Sequence, residues 1–268
     1  MKLERAGLVE AVLFDKDGTL FDFRATWLPT LLDSADRMAG GDERTANALV
    51  RAAGYDPDRD RFLPDGPVAA GSVVDLADAW YTVLQARERS RPERSRPERA
   101  ASLGGGSGSG ASPAAPASRD ELVAMLEEAG RRASASRDVP VADLVGVMQR
   151  LREAGIILGL VTSDSTEAAR EALRRAGVLE RFSYVAGYDA PAGVKPSAAA
   201  AKAFYRPLGI APARVVVVGD TWHDITMARA CGCLAIGVLT GALDREDLAP
   251  YADAVLENIG ELPAFLGV

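Results

Sequence analysis

From about residue 140 onward, apolar runs of strand length alternate with helical patterns, and no other feature constrains the fold of this chain as tightly. Short apolar runs lie at 11–14, 156–161, 184–186, 214–218 and 234–239, and helical periodicity fills 141–154, 166–176, 197–208 and 225–230. Such alternation predicts βαβ units on a parallel sheet with helices on both faces. The first strand is separated from the others by more than a hundred residues of different character, so 23–139 reads as an insertion. Within it, 27–38, 43–53, 73–86 and 119–133 are candidate helices. The expected division is an α/β core from residues 1–22 and 140–268 and a helical domain from 23–139. R-S-R-P-E at 89–93 repeats at 94–98, and 104–110 contains only Gly and Ser, so 87–118 is expected to be a disordered low-complexity insert.

At 268 residues, 48% of them hydrophobic, the chain has ample apolar material for a sizeable core. Its net charge of -7 argues against electrostatic binding of nucleic acid, which needs a basic face. An acidic protein that handles a phosphorylated anion needs local cations, most simply a metal ion and a lysine. Only Lys2, Lys16, Lys195 and Lys202 among the 31 basic residues are lysines, which makes Lys195 conspicuous. Cys231 and Cys233 are too few for a disulfide framework, and no Cys or His cluster completes a zinc site with them. They are expected to be buried thiols in a reducing compartment. The first ten residues contain no uninterrupted apolar stretch, and no run reaches the ~18 residues that would span a bilayer. The expected location is cytoplasmic, with no membrane partner.

Residues 12–20 read V-L-F-D-K-D-G-T-L, an apolar run that delivers Asp15 and Asp17 to its carboxyl end. Parallel sheets place their sites there. Acids at alternate positions of an extended segment would point to opposite faces, so both serve one site only if the backbone turns directly after Asp15. Gly18 helps permit that turn. Such a pair suggests a divalent-cation site or a nucleophile beside a proton donor, against the plainer alternative of a solvated acidic loop that caps a helix. Other strand ends carry polar residues too. Thr162 and Ser163 follow 156–161, Gly193-Val194-Lys195-Pro196 precedes a helix, and Gly219-Asp220-Thr221-Trp222-His223-Asp224 follows 215–218.

Taken in order, D-x-D-G-T at Asp15, the strand-terminal Thr162, Lys195 and G-D-x-x-x-D at 219–224 resemble the four motifs of the haloacid dehalogenase superfamily of phosphohydrolases. The resemblance implies a Rossmann-like three-layer core with a parallel sheet and a helical cap of the C1 type inserted after the first strand. It also implies roles. Asp15 would attack phosphorus and form an aspartyl-phosphate. Asp17 would protonate the leaving oxygen and later deprotonate water. Asp15, Asp220 and the backbone carbonyl of Asp17 would hold Mg²⁺, a hard cation suited to oxygen ligands. Thr162 would bind a nontransferring phosphoryl oxygen, Lys195 would supply positive charge between phosphoryl group and nucleophile, and Asp224 would orient Lys195 or a metal-bound water. Ser163 and Asp164 are secondary candidates that could equally cap the next helix, as could Thr162. His223 lies where the family has no obligatory group. Trp27, Trp80 and Trp222 read as packing residues, although Trp27 and Arg24 could face a leaving group.

The second acid separates the chain from the dehalogenase branch, which lacks an equivalent of Asp17. Phosphonatases and, in part, phosphoglucomutase-like members rely on a cap lysine, and residues 17–194 contain none. The remaining resemblance is to phosphoglycolate phosphatases and their relatives, supported by Gly187-Tyr188-Asp189 and Val238-Leu239-Thr240-Gly241. The expected activity is Mg²⁺-dependent hydrolysis of a small phosphomonoester, with phosphoglycolate as the leading substrate. A phosphomutase, or a noncatalytic binding protein that uses 87–118 as its contact, stays open.

Overall fold

The computed structural model describes residues 9–90 and 118–268. Strand β1 (Ala11–Phe14) leads to helices α1 (Phe23–Ala39) and α2 (Glu43–Ala52), short strands β2 (Tyr55–Asp56) and β3 (Arg61–Phe62), and helices α3 (Pro67–Ala70), α4 (Val73–Ser90) and α5 (Arg119–Arg137). The alternating part follows: α6 (Leu144–Glu153), β4 (Ile157–Val161), α7 (Thr166–Arg175), β5 (Phe182–Ala186), α8 (Ala198–Tyr205), β6 (Val215–Gly219), α9 (Trp222–Cys231) and β7 (Leu234–Val238). Helix α10 (Arg245–Leu248), β8 (Ala254–Leu256) and α11 (Leu262–Leu266) close the chain. No described helix is long and apolar enough to cross a membrane.

The chain divides into two compact units, 1–28 with 131–268 and 29–130. In the first, six parallel strands form one sheet in the order β5-β4-β1-β6-β7-β8. The expected α/β class with a parallel sheet is therefore what the chain adopts. Along β1, Val12 and Phe14 join one apolar cluster and Ala11 and Leu13 another, so the strand is buried on both faces. This is why it reads as an unbroken apolar run rather than an alternating one. Strand β1 sits between β4 and β6, with Phe14 level with Leu160 on one side and Val218 on the other. That register brings the residues following all three strands to one edge of the sheet, where the order reverses direction and ligands bind in folds of this kind.

The second unit is mainly helical. Trp80 is fully buried there and its indole Nε1 donates to the Leu49 carbonyl at 2.8 Å, joining α4 to α2 as a packing residue. Arg87 to Ser90 belong to α4, so the expectation of disorder from residue 87 is corrected for these four residues. Ser118 caps the start of α5 through its hydroxyl, which accepts from the Glu121 N–H at 3.1 Å. The rest of the expected insert, 91–117, lies outside the described residues.

Candidate active site

A tight turn presents the first acids. Asp15 N–H donates to the Val218 carbonyl at 2.9 Å, extending the β1–β6 ladder by one residue. The Lys16 carbonyl then accepts from the N–H groups of Thr19, Leu20 and Phe21, and Gly18 N–H donates to Phe21 at 2.7 Å. Gly18 has φ of 79°, a conformation costly for any residue with a Cβ. Thr240 Oγ1 pins the turn by donating to the Gly18 carbonyl at 2.6 Å.

Lys195, Asp15, Asp220 and Asp224 form one buried cluster at the edge of the sheet. Lys195 Nζ lies 2.6 Å from Asp15 Oδ1 and 3.0 Å from Asp224 Oδ1. The other oxygen of Asp224 belongs to α9: it accepts from Thr221 Oγ1 at 2.7 Å and, more weakly, from the Thr221 N–H at 3.3 Å. This capping box fixes the start of the helix and leaves Asp224 with both oxygens engaged inside the protein. Asp224 therefore contacts Lys195 through one oxygen and the start of α9 through the other. Ligand atoms of Asp15, Asp220 and Asp224 all lie within 4.8 Å of one another, yet Asp224 is the one already committed.

Asp220 is different. It is fully buried; Oδ1 takes only a long contact from Thr19 Oγ1 at 3.4 Å, and Oδ2 has no partner. A Cβ on Gly241 would lie 1.7 Å from that Oδ2, and one on Gly18 would lie 2.3 Å from it, so two glycines form its cradle. A buried carboxylate oxygen without a donor costs about 1–3 kcal/mol or more, a penalty a cation would remove. With Asp15 beside it, this all-oxygen donor set fits a hard divalent cation. The electrostatics agree. Burial raises Asp15 to about 7, with Lys195 pulling it down and Asp224 pushing it up. Asp220 is raised well above the ordinary carboxylate range by burial, and Asp15 and Asp224 add to the effect. Lys195 stays charged, since Asp15 and Asp224 outweigh the cost of burial.

Thr162 is buried at the end of β4, its N–H bonded to the Ala186 carbonyl at 3.0 Å. Its Oγ1 accepts from Asp164 N–H at 3.1 Å, which leaves the hydroxyl hydrogen to donate elsewhere. Neither Thr162, Ser163 nor Asp164 caps α7. Ser165 does, accepting from Ala168 N–H at 3.2 Å. The Gly187-Tyr188-Asp189 stretch laces β5 to α7: Asp189 accepts from the Thr166 N–H and hydroxyl at 2.9 and 2.6 Å. Half-buried His223 is held below its ordinary pKa, mainly by burial. Trp222 packs edge-on against Tyr251 with centroids 4.8 Å apart, as a packing residue would.

Sequence reasoning missed a second buried lysine. Lys16, between the two acids of the first motif, has no exposed surface, and its Nζ lies 3.2 Å from Asp17 Oδ2 and 2.9 Å from Asp164 Oδ2. Burial pushes the ammonium towards neutrality, but Asp17, Asp164 and Asp138 together hold it charged. Asp17 itself is raised by burial and by Asp164, against the opposing pull of Lys16. The available signal was a lysine at the end of an apolar strand in a chain with four lysines.

Residues 9–232 match the family model described as haloacid dehalogenase-like hydrolase. A phosphoglycolate phosphatase of Neisseria meningitidis is 34% identical over 116 residues, 42% of this chain and 49% of its own length. The phosphoglycolate phosphatase of Escherichia coli K12 is 33% identical over 130 residues, 48% of this chain and 50% of its own length. The chain thus spans about half the length of the curated relatives it matches. Among solved structures, a predicted phosphoglycolate phosphatase of Haemophilus somnus superposes with a TM-score of 0.65 at 17% identity, covering 95% of this chain and 96% of its own. A beta-phosphoglucomutase of Clostridium difficile gives 0.58 at 14%, covering 95% and 93%. At such identities the likeness concerns the fold.

Proposed function

We propose that this chain, which belongs to the haloacid dehalogenase-like hydrolase family, is a Mg²⁺-dependent phosphomonoester hydrolase acting on a small phosphorylated metabolite, phosphoglycolate first among them. The observation that carries the reading is the cluster in which Lys195 bridges Asp15 and Asp224 beside the partnerless Oδ2 of Asp220. Asp15 attacks phosphorus in line, the bond to the leaving oxygen breaks, and an aspartyl-phosphate forms. Asp17 gives the leaving oxygen its proton, then takes one from the water that opens the intermediate. Lys195 offsets the charge of nucleophile and phosphoryl group, and Asp224 holds Lys195 in place. Thr162 donates its hydroxyl hydrogen to a nontransferring oxygen. Asp15 and Asp220, with the Asp17 carbonyl, would hold Mg²⁺. Bound there, the ion supplies the neutralisation that lets an anionic nucleophile approach a phosphate.

Residues 23–139 serve in this reading as the cap that recognises the leaving group, and the absence of lysine from 17–194 favours hydrolysis over phosphoryl transfer between sugar positions. The test is a panel of small phosphomonoesters assayed for released phosphate with and without Mg²⁺. Mg²⁺-dependent turnover, greatest for phosphoglycolate, is the expected result. A panel with no turnover overturns the activity, and one in which phosphoglycolate ranks last overturns the substrate alone.

A further inference from the structure

We infer that Lys16 is a positioning residue for Asp17: it holds Asp17 Oδ2 against the β4–α7 loop and thereby fixes the orientation of the carboxyl group. The inference rests on the reading of Asp17 as the acid and deepens it. An ammonium has three donors and no acceptor, so the oxygen 3.2 Å from it is held through a lone pair. Oδ1 is buried and has no hydrogen-bond partner in the structure, so the carboxyl group is held through Oδ2 and Lys16.

The anchor on the far side of Lys16 is rigid. Asp164 accepts the ammonium on Oδ2 at 2.9 Å and the Ser165 N–H on Oδ1 at 2.8 Å, so both its oxygens are fixed. Its carbonyl accepts from Tyr188 N–H at 2.9 Å, and a Cβ on Gly187 would lie 2.3 Å from that same oxygen. The loop is therefore clamped between β5 and α7, and Lys16 transmits its position to Asp17. When the bond between phosphorus and the leaving oxygen breaks, the electron pair goes to that oxygen. The proton of Asp17 transfers to it, and the resulting carboxylate remains paired with Lys16.

The test compares kcat/KM for propyl phosphate, whose alkoxide must be protonated, with that for 4-nitrophenyl phosphate, whose phenolate leaves unaided. Lys16→Met should lose ~10-fold or more on propyl phosphate and less than ~3-fold on 4-nitrophenyl phosphate, because misplaced acid catalysis matters only for the poor leaving group. In an Asp17→Asn background it should cost nothing further. Equal losses on both substrates, or a further loss in that background, overturn the inference. Should Lys16→Met fail to fold, Asp164→Asn removes the anchor alone and must show the same selectivity. If Asp17→Asn itself shows no preference between leaving groups, the acid assignment falls and the inference with it. That result is distinct from a selective Asp17→Asn beside an unselective Lys16→Met.

Discussion

Lys195 and Lys16 are built from the same parts. Each is a buried ammonium that bridges two carboxylates near the carboxyl edge of one parallel sheet. They differ in what surrounds them. Three buried carboxylates face Lys195, one with an oxygen that has no donor, so the cluster carries two formal negative charges in excess. Lys16 is balanced more closely: Asp17 and Asp164 contact it, while the nearby Asp138 is itself paired with Arg175. An unpaired buried charge is far more costly than a paired one. The first cluster thus carries the larger uncompensated charge, two against one, although each contains a buried carboxylate oxygen without a partner. Carboxylates bridged by lysine do not by themselves mark a metal site. Three acids within 4.8 Å of one another, with two charges in excess, do.

The sharpest way to break this contrast is Asp15→Asn. In the first cluster it removes both the nucleophile and an anionic metal ligand, so turnover should fall by on the order of 10⁴-fold or more. Phosphate release near the wild-type rate from a sample free of contaminating phosphatase would show that the cluster is not catalytic.

Asp17→Asn strikes the second cluster instead. Its metal contact in the proposed site is a backbone carbonyl, so Mg²⁺ affinity should be nearly unchanged while phosphoryl transfer from a poor leaving group slows by ~10²-fold. The loss should shrink for nitrophenolate. If Mg²⁺ affinity falls as far as it does in Asp15→Asn, the two clusters are not functionally separate.

The clusters were not equally legible in the sequence. Asp15 and Asp220 could be placed because each follows a short apolar run, and Lys195 by its place in the motif order; the runs became strands at nearly the expected residues, β1 at 11–14 without change. The pairing of Lys16 with Asp164 could not be read. It arises from the turn after β1 and from the path of the β4–α7 loop, and neither leaves a periodic trace. Likewise α9 begins at Trp222 rather than 225, since Thr221 and Asp224 close a capping box inside what reads as a catalytic loop. Strand β8 spans only Ala254–Leu256, too short for any pattern to announce it.

Asp220→Asn tests the excess charge directly. Because burial raises Asp15 from the ordinary value of 3.8 to about 7, and raises Asp220 as well, the metal-free folded protein binds more protons than the unfolded chain above about 3.8. Stability without metal therefore falls as pH rises through that window. Mg²⁺ competes with those protons, so its stabilising effect should be larger at pH 8 than at pH 5. At 100 times Kd the effect amounts to ~2.7 kcal/mol, or roughly 2–4 °C in Tm per kcal/mol for a domain of this size. Asp220→Asn should be more stable than wild type without metal at pH 8 and should lose the Mg²⁺ shift. A Mg²⁺ shift in thermal melts that is independent of pH, or retained in the variant, would place the ion elsewhere.

The smallest effect is expected outside the unit that holds both clusters. Replacing 91–117 by a six-residue Gly/Ser loop leaves intact the ion pair in which Arg119 Nη2 lies 2.9 Å from Asp78 Oδ2, joining α5 to α4 on either side of the deletion. Shortening a loop by about two doublings lowers its closure cost by ~1 kcal/mol, so the variant should be as stable as wild type or slightly more so. Both lysine clusters belong to the first unit, and neither leaving-group selectivity nor the Mg²⁺ shift should change. A melt lowered by several degrees, or a lost Mg²⁺ shift, would mean that the insert supports the folded enzyme. Turnover intact but a binding partner lost would instead give 91–117 a function of its own, independent of the chemistry at the sheet edge.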